Sequence, residues 1–337
     1  MKKLSFSVLM LFALSCESPS SMDPGVPESK QEVNESSLKV VNGTFSFETV
    51  DEFEATVKKI GSMSSQEYSL WQKSHDVKTL YSEYLLLPPS ASLQQVAKTR
   101  PHLITLNENT NAYELNSVNS NYAKITNEKG LVIINNATYQ FSATEVKCIK
   151  GIDQNAASTL LTSKREEYQA NSIKFSSVEE GFKPSRNAKV GPWEKEQRGN
   201  AITDMKGWDG DYYLKSWLVC RYYWIPNPWF PGMDRGMMAI EVSGKYYREK
   251  GWGPDEERTP QQYSTTWSFE LSDGLANFGT YYPHSGTWTE SGIPSFAKVL
   301  YDGIPCDIRN LNIPVTATDF NKNGNSVTST TTFVVTN

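Results

Sequence analysis

Histidine is nearly missing from this chain, with three in 337 residues, and cysteine is sparse, with four. His75, His102 and His284 stand far apart, and no two of Cys16, Cys148, Cys220 and Cys306 are closely spaced. That spacing argues against a zinc site, which draws its ligands from clustered His and Cys. Also missing are a Gly-x-Ser-x-Gly elbow, a P-loop, a dinucleotide glycine fingerprint and a His-Glu-x-x-His pair. No catalytic residue and no cofactor follow from motif. Basic excess is absent too: 33 Lys and Arg face 38 Asp and Glu, for a net charge of −5. A nucleic-acid binder would need the opposite balance. Past residue 15 no apolar run reaches the roughly 20 residues that a membrane-spanning helix needs.

What the chain does have begins at its first residue. Lys2 and Lys3 precede a short apolar run from Leu4 to Leu14, the layout of a secretory signal over residues 1–15. The run ends in Ala13-Leu14-Ser15-Cys16, which resembles the lipobox of bacterial lipoproteins. The resemblance implies cleavage before Cys16 and acylation of that residue, with Ala13 where the family usually has Leu. The partner so implied is a membrane, held through N-terminal acyl chains. Two or more chains give stable anchoring where one gives only marginal binding. The expected location is the cell envelope, on the outer membrane, with Glu17 and Asp23 too few to choose between surface and periplasmic face. Loss of Lys2 and Lys3 leaves 31 basic against 38 acidic residues, and the charge moves to −7.

Residues 16–38 are rich in Ser, Pro, Glu and Asn and read as a flexible tether. Residues 39–150 read as an α+β module. Lys39 to Phe47 alternate as a short strand with Asn42-Gly43 as a turn. Thr49 and Glu52, then Ser64 and Glu67, have capping-box spacing. Val50, Phe53, Val57 and Ile60 predict a helix that Gly61 ends. Val77, Leu80, Tyr81, Tyr84 and Leu85 extend the second helical pattern until Pro88-Pro89. Leu131–Ile134 and Tyr139–Phe141 around Asn135-Asn136 predict a β-hairpin. Residues 45–84 followed by 130–141 resemble the N-terminal module of uncharacterised Bacteroidota lipoproteins, which implies lineage and compartment and carries no catalytic residue. Within 151–200, Ala156, Leu160, Leu161 and Tyr168 predict one helix, and Lys183 to Asn200 reads as a polar linker.

Residues 201–337 differ in character. Eight of the nine tryptophans lie between Trp193 and Trp288. Tyr212–Trp224, Met238–Val242 and Tyr263–Leu271 read as strands, and Ile313–Ala317 pairs with Val327–Val335. Residues 315–335 look like the last hairpin of bacterial immunoglobulin-like modules. The expected fold is therefore α+β: a small helix-plus-hairpin N-terminal module followed by a C-terminal antiparallel β-sandwich.

Clustered aromatics suggest a surface that stacks on sugar rings, whose apolar C–H faces pack on indoles. Trp229 and Trp252, in loops, and Trp224 and Tyr223 beside them are the ligand-binding candidates; Trp217 and Trp267, in strands, read as core. Asp319, Asn321 and Asn323 match the first half of a calcium loop, but the twelfth position is Thr330, and an Asn-Gly hairpin turn accounts for the same residues. Asp209-Gly210-Asp211 reads as a turn that could likewise hold a cation. Cys220 and Cys306 are the disulfide candidates, with three buried thiols as the alternative. His284 is the one histidine in the aromatic region, and Glu241 with Glu270 is a carboxylate pair one could nominate for glycoside hydrolysis. The functional expectation is a non-catalytic binding lipoprotein with a glycan ligand. A structural or adhesive protein contacting another envelope protein is the second reading, and an unrecognised hydrolase the third.

Overall fold

Local signals start the fold, and a computed structural model shows how they combine. It describes residues 38–88, 91–108, 111–180, 189–190, 194–198, 212–230, 232–248, 255–272, 281–304, 306, 308–320 and 326–336. Strands β1 (Lys39–Val41) and β2 (Thr44–Phe47) turn at Asn42 and Gly43, both left-handed at φ 51° and 72°. Helix α1 (Val50–Ser62) is capped by Thr49, whose side chain accepts from the Glu52 amide at 3.1 Å. Glu52 reaches back one residue further than a capping box requires, to the Glu48 amide at 2.8 Å. Gly61 does not end the helix; it lies inside α1, where a Cβ would meet the Asn121 side chain at 2.3 Å. Glycine is there for close packing. Helix α2 (Ser65–His75) carries a full capping box between Ser64 and Glu67. It does not run on toward Pro88: Asp76 is left-handed at φ 50°, and α3 (Leu80–Leu85) starts afresh on Thr79. A further helix, α4 (Leu93–Thr99), follows.

The chain then forms β3 (Ile104–Asn107), β4 (Ala112–Leu115), α5 (Ser120–Ile125), β5 (Leu131–Ile134), β6 (Ala137–Phe141) and β7 (Glu145–Lys150). Asn135 and Asn136 both take positive φ, so the expected hairpin closes as a two-residue turn. Helix α6 (Gln154–Thr162) and β8 (Lys174–Ser177) complete this region. One sheet runs β1-β2-β5-β6-β7-β8, antiparallel except for β2 against β5. Phe53 of α1 lies against Phe47, Phe141 and Tyr122, with ring centroids 5.2 to 5.5 Å apart. A separate cluster, with Leu131, Leu160, Tyr168 and Ile173, packs α6 against the same sheet.

The remaining strands are β9 (Glu179–Glu180), β10 (Lys189–Val190), β11 (Glu194–Arg198), β12 (Tyr212–Ile225), β13 (Arg235–Arg248), β14 (Glu256–Arg258), β15 (Gln262–Ser272), β16 (Tyr281–Ser291), β17 (Ser295–Gly303), β18 (Ile308–Phe320) and β19 (Ser326–Thr336). One sheet runs β10-β19-β18-β15-β16; the other is built on β11-β12-β13-β14, with β17 also on β13 and β9 also on β12. Leu214, Leu218, Ile240 and Val242 of the second sheet share a core with Tyr263, Ile313, Val315 and Phe333 of the first. The polar stretch read as a linker thus contributes two strands, β10 and β11, where its residues are described. The coarse α+β character agrees with expectation.

Strands β12 and β13 are fourteen residues each, about 45 Å at the usual strand rise. They serve two cores. Leu214, Leu218 and Cys220 lie between the facing sheets, whereas Tyr223, Ile225, Met237 and Ala239 sit in the core of the helical region. Ser37–Asn337 accordingly form one compact unit.

Candidate functional site

The β12–β13 hairpin ends in a loop, Pro226–Asp234, stiffened from within. The Asn227 side chain accepts from the Trp229 and Phe230 amides at 2.9 and 3.0 Å, and Asp234 accepts from the Asn227 amide at 2.8 Å. Sequence chemistry explains this: Asn mimics a backbone turn through its side-chain oxygen. The base is held by the sheet of β1, β2 and β5 to β8. Tyr139 Oη and Lys174 Nζ donate to the carbonyls of Pro226 and Asn227 at 3.0 and 2.9 Å.

On this frame, apolar side chains face solvent. Trp224 is 53% exposed, Trp229 38%, Phe230 61% and Met233 69%. Trp229 is fixed at one edge, where its Nε1 donates to the Asn135 carbonyl at 2.9 Å, and Lys150 Nζ stands 4.6 Å from its ring centroid. Trp224 pairs in register with Gly236 and lies over it, so that a Cβ there would meet the indole at 3.0 Å. The Trp224 amide donates to Ser176 Oγ of β8 at 3.2 Å. Two indoles, each part in solvent, can stack on a flat apolar face.

The other residues singled out from sequence have varied fates. Tyr223 is 1% exposed, packed edge-on to Tyr122 at 5.9 Å, and offers no surface to a ligand. Cys16, Trp252, Asp209, Asp211, Asn321 and Asn323 lie outside the described residues. Asp319 is buried and accepts from the Phe320 amide at 2.8 Å, while Thr330 bonds across the hairpin to Thr316 at 2.9 Å. No disulfide joins Cys220 to Cys306; they and Cys148 are thiols. Burial pushes the Cys148 and Cys220 thiols up to about 12. Unreactive, buried thiols fit that setting.

His284 sits mid-strand on β16, its Nε2 within 2.9 Å of the Leu300 carbonyl and its ring against Phe269 and Tyr301. Glu241 and Glu270 stand on β13 and β15, which belong to different sheets. Glu270 pairs with Arg309 at 2.5 Å, and Glu241 accepts from the Ser120 amide at 2.7 Å. Both candidates are thereby spent on structure. Sequence reading missed a second feature, buried Arg221 with half-buried Glu114 and Glu180 on its guanidinium. A single Arg inside an apolar strand was the available signal, since arginine is almost never fully buried unless paired.

No family model matches the sequence, and no curated protein matches it. A solved structure that does match is a DUF4848 family protein from Bacteroides thetaiotaomicron VPI-5482. Identity is 12%, the match covers 88% of this chain and 100% of that one, and the TM-score is 0.24. That neighbour is a Bacteroidota protein of a family named only by number, and no activity passes from it to this chain.

Proposed function

We propose that this chain is an exported lipoprotein of the bacterial envelope, anchored through Cys16, that binds a glycan without transforming it. The binding surface is the β12–β13 tip. The observation that carries this reading is the pair Trp224 and Trp229, part exposed and held from behind by Gly236 and the Asn135 carbonyl. Large solvent-facing aromatics on a stiff loop cost solvation free energy that a ligand recovers. Lys150, with its Nζ 4.6 Å from the Trp229 ring centroid, supplies a polar group beside them for hydroxyls. A partner protein is the second reading, favoured by Phe230 and Met233, which are more exposed than either indole.

The test is a glycan-array screen of the full chain carrying Cys16→Ser, a change expected to release it from the membrane fraction. A matched Trp224→Ala, Trp229→Ala chain is screened beside it. Glycan binding that the double variant loses by tenfold or more supports the reading, taking the about 1–3 kcal/mol that a base gains by stacking on an aromatic ring as the scale for a flat ligand. Binding that the double variant keeps, or a folded chain that binds no glycan, overturns it.

A further inference from the structure

The β12–β13 tip brings a charge to its indoles. Lys150 is the last residue of β7, and its neighbour Gly151 is tied to the β5–β6 hairpin. The Gly151 amide donates to the Asn136 carbonyl at 3.1 Å, and its carbonyl accepts from Thr138 Oγ1 at 2.7 Å. The same turn holds Trp229, whose Nε1 donates to the Asn135 carbonyl at 2.9 Å. Cation and indole are thus both moored to Asn135-Asn136, and Lys150 Nζ stands 4.6 Å from the ring centroid.

Lys150 is exposed, and among the described residues its ammonium makes no ion pair. The charges around it are otherwise engaged. Arg235, at the far end of the loop, is held by Asp51 and Glu54 of α1, Glu54 at 2.7 Å. Lys174 Nζ donates to the Asn227 carbonyl at 2.9 Å. Asp234 accepts from the Asn227 amide, and Asp153 caps α6 through the Ala156 amide, both at 2.8 Å. An indole face attracts a cation through its quadrupole but carries no net charge to neutralise it. In a chain with 38 acidic residues against 33 basic, Lys150 is a cation left without a counter-charge beside a solvent-facing ring.

We propose that the tip takes an acidic glycan, one whose sugar carries a carboxylate or a sulfate ester, with its ring on the indoles and its anionic oxygens on Lys150 Nζ. This rests on the tip being a glycan site and adds the chemical class of the ligand. A sugar hydroxyl can accept from Lys150 but leaves its charge unmatched. A carboxylate or sulfate takes the same hydrogen bond and adds Coulomb attraction at contact distance. Because the backbones at Lys150 and Trp229 are both fixed on one turn, less ordering is left to be done when the ligand arrives.

An array on which uronate-bearing and sulfated glycans each stand beside a neutral counterpart, the methyl ester or the desulfated sugar, tests this. It is probed with the Cys16→Ser chain and with the same chain carrying Lys150→Gln or Lys98→Gln. The second change removes an equal charge from an exposed position on α4. The expected result is an acidic glycan bound about tenfold or more tightly than its neutral counterpart, the scale of a hydrogen bond to a charged group. Lys150→Gln should bring that preference below about threefold, and Lys98→Gln should keep it. Whether the uronates or the sulfated sugars bind identifies the anion. Neutral counterparts bound as tightly as acidic ones overturn the proposal and leave the glycan reading of the tip standing. An acidic preference that Lys150→Gln keeps does the same. A folded chain that binds no glycan overturns that reading, and the acidic ligand falls with it.

Discussion

Tyr223 and Trp224 are consecutive residues of one strand, yet one is 1% exposed and the other 53%. Their side chains point to opposite faces of β12, as strand geometry requires. On one face the helical region has folded over the hairpin, so Tyr223 meets Tyr122 and Asp302. On the other, Trp224 rests on Gly236. Trp267 shows the same contact inside the facing sheets, lying over its register partner Gly286. An indole over a cross-strand glycine is thus a structural device in both places, and only at the tip does it leave half its surface in water. Aromatic density alone does not mark a binding surface; the element that covers each face decides.

The contrast breaks most visibly at Tyr223. Tyr223→Ala removes a fully buried ring that belongs to the helical core while sitting on a strand shared with the facing sheets. A loss of about 3–5 kcal/mol is expected in denaturant unfolding, as for other large-to-small core changes. Near-ultraviolet dichroism and amide exchange in β18–β19 should report the same midpoint, since β12 runs through both cores. Separate midpoints would show that the two cores unfold independently. One residue on, Trp224→Ala exposes the Gly236 backbone and removes a cross-strand contact worth about 0.5–1 kcal/mol. A loss as large as that of Tyr223→Ala would mean the indole is core after all.

Local chemistry was legible in the sequence where it is local. Thr49 and Ser64 cap their helices, Asn135-Asn136 turns its hairpin, and the Ile313–Val335 region pairs as expected. What escaped depends on distant partners. Helix α5 is six residues, too short to show a period, and is held by Tyr122 packing into the core and by the Asn119 cap. The parallel join of β2 to β5 links residues more than eighty positions apart in the chain. Charged β11 is an edge strand, where packing asks little of its composition. At the tip, the prolines placed Trp229 in a loop without deciding its burial, and it is 38% exposed. Alternation separated Tyr223 from Trp224 without saying which of them would be covered.

The smallest expected effect is the sharpest on what the tip is for. Phe230 and Met233 make one backbone bond to each other, from the Met233 amide to the Phe230 carbonyl at 3.2 Å, and their side chains lie mostly in solvent. Neither belongs to a buried cluster. Phe230→Ser with Met233→Ser should therefore change stability by less than about 0.5 kcal/mol, the range of surface substitutions away from special features. Because Asn227 fixes the loop through backbone amides, the positions of Trp224 and Trp229 should survive the change. If the ligand is a glycan stacked on the indoles, affinity falls by less than about threefold. If the tip docks into a protein, these two projecting side chains are its anchors, and truncating buried interface anchors typically costs 2 kcal/mol or more, roughly thirtyfold in affinity. The same double change thus separates the two readings at a point where stability cannot confuse them.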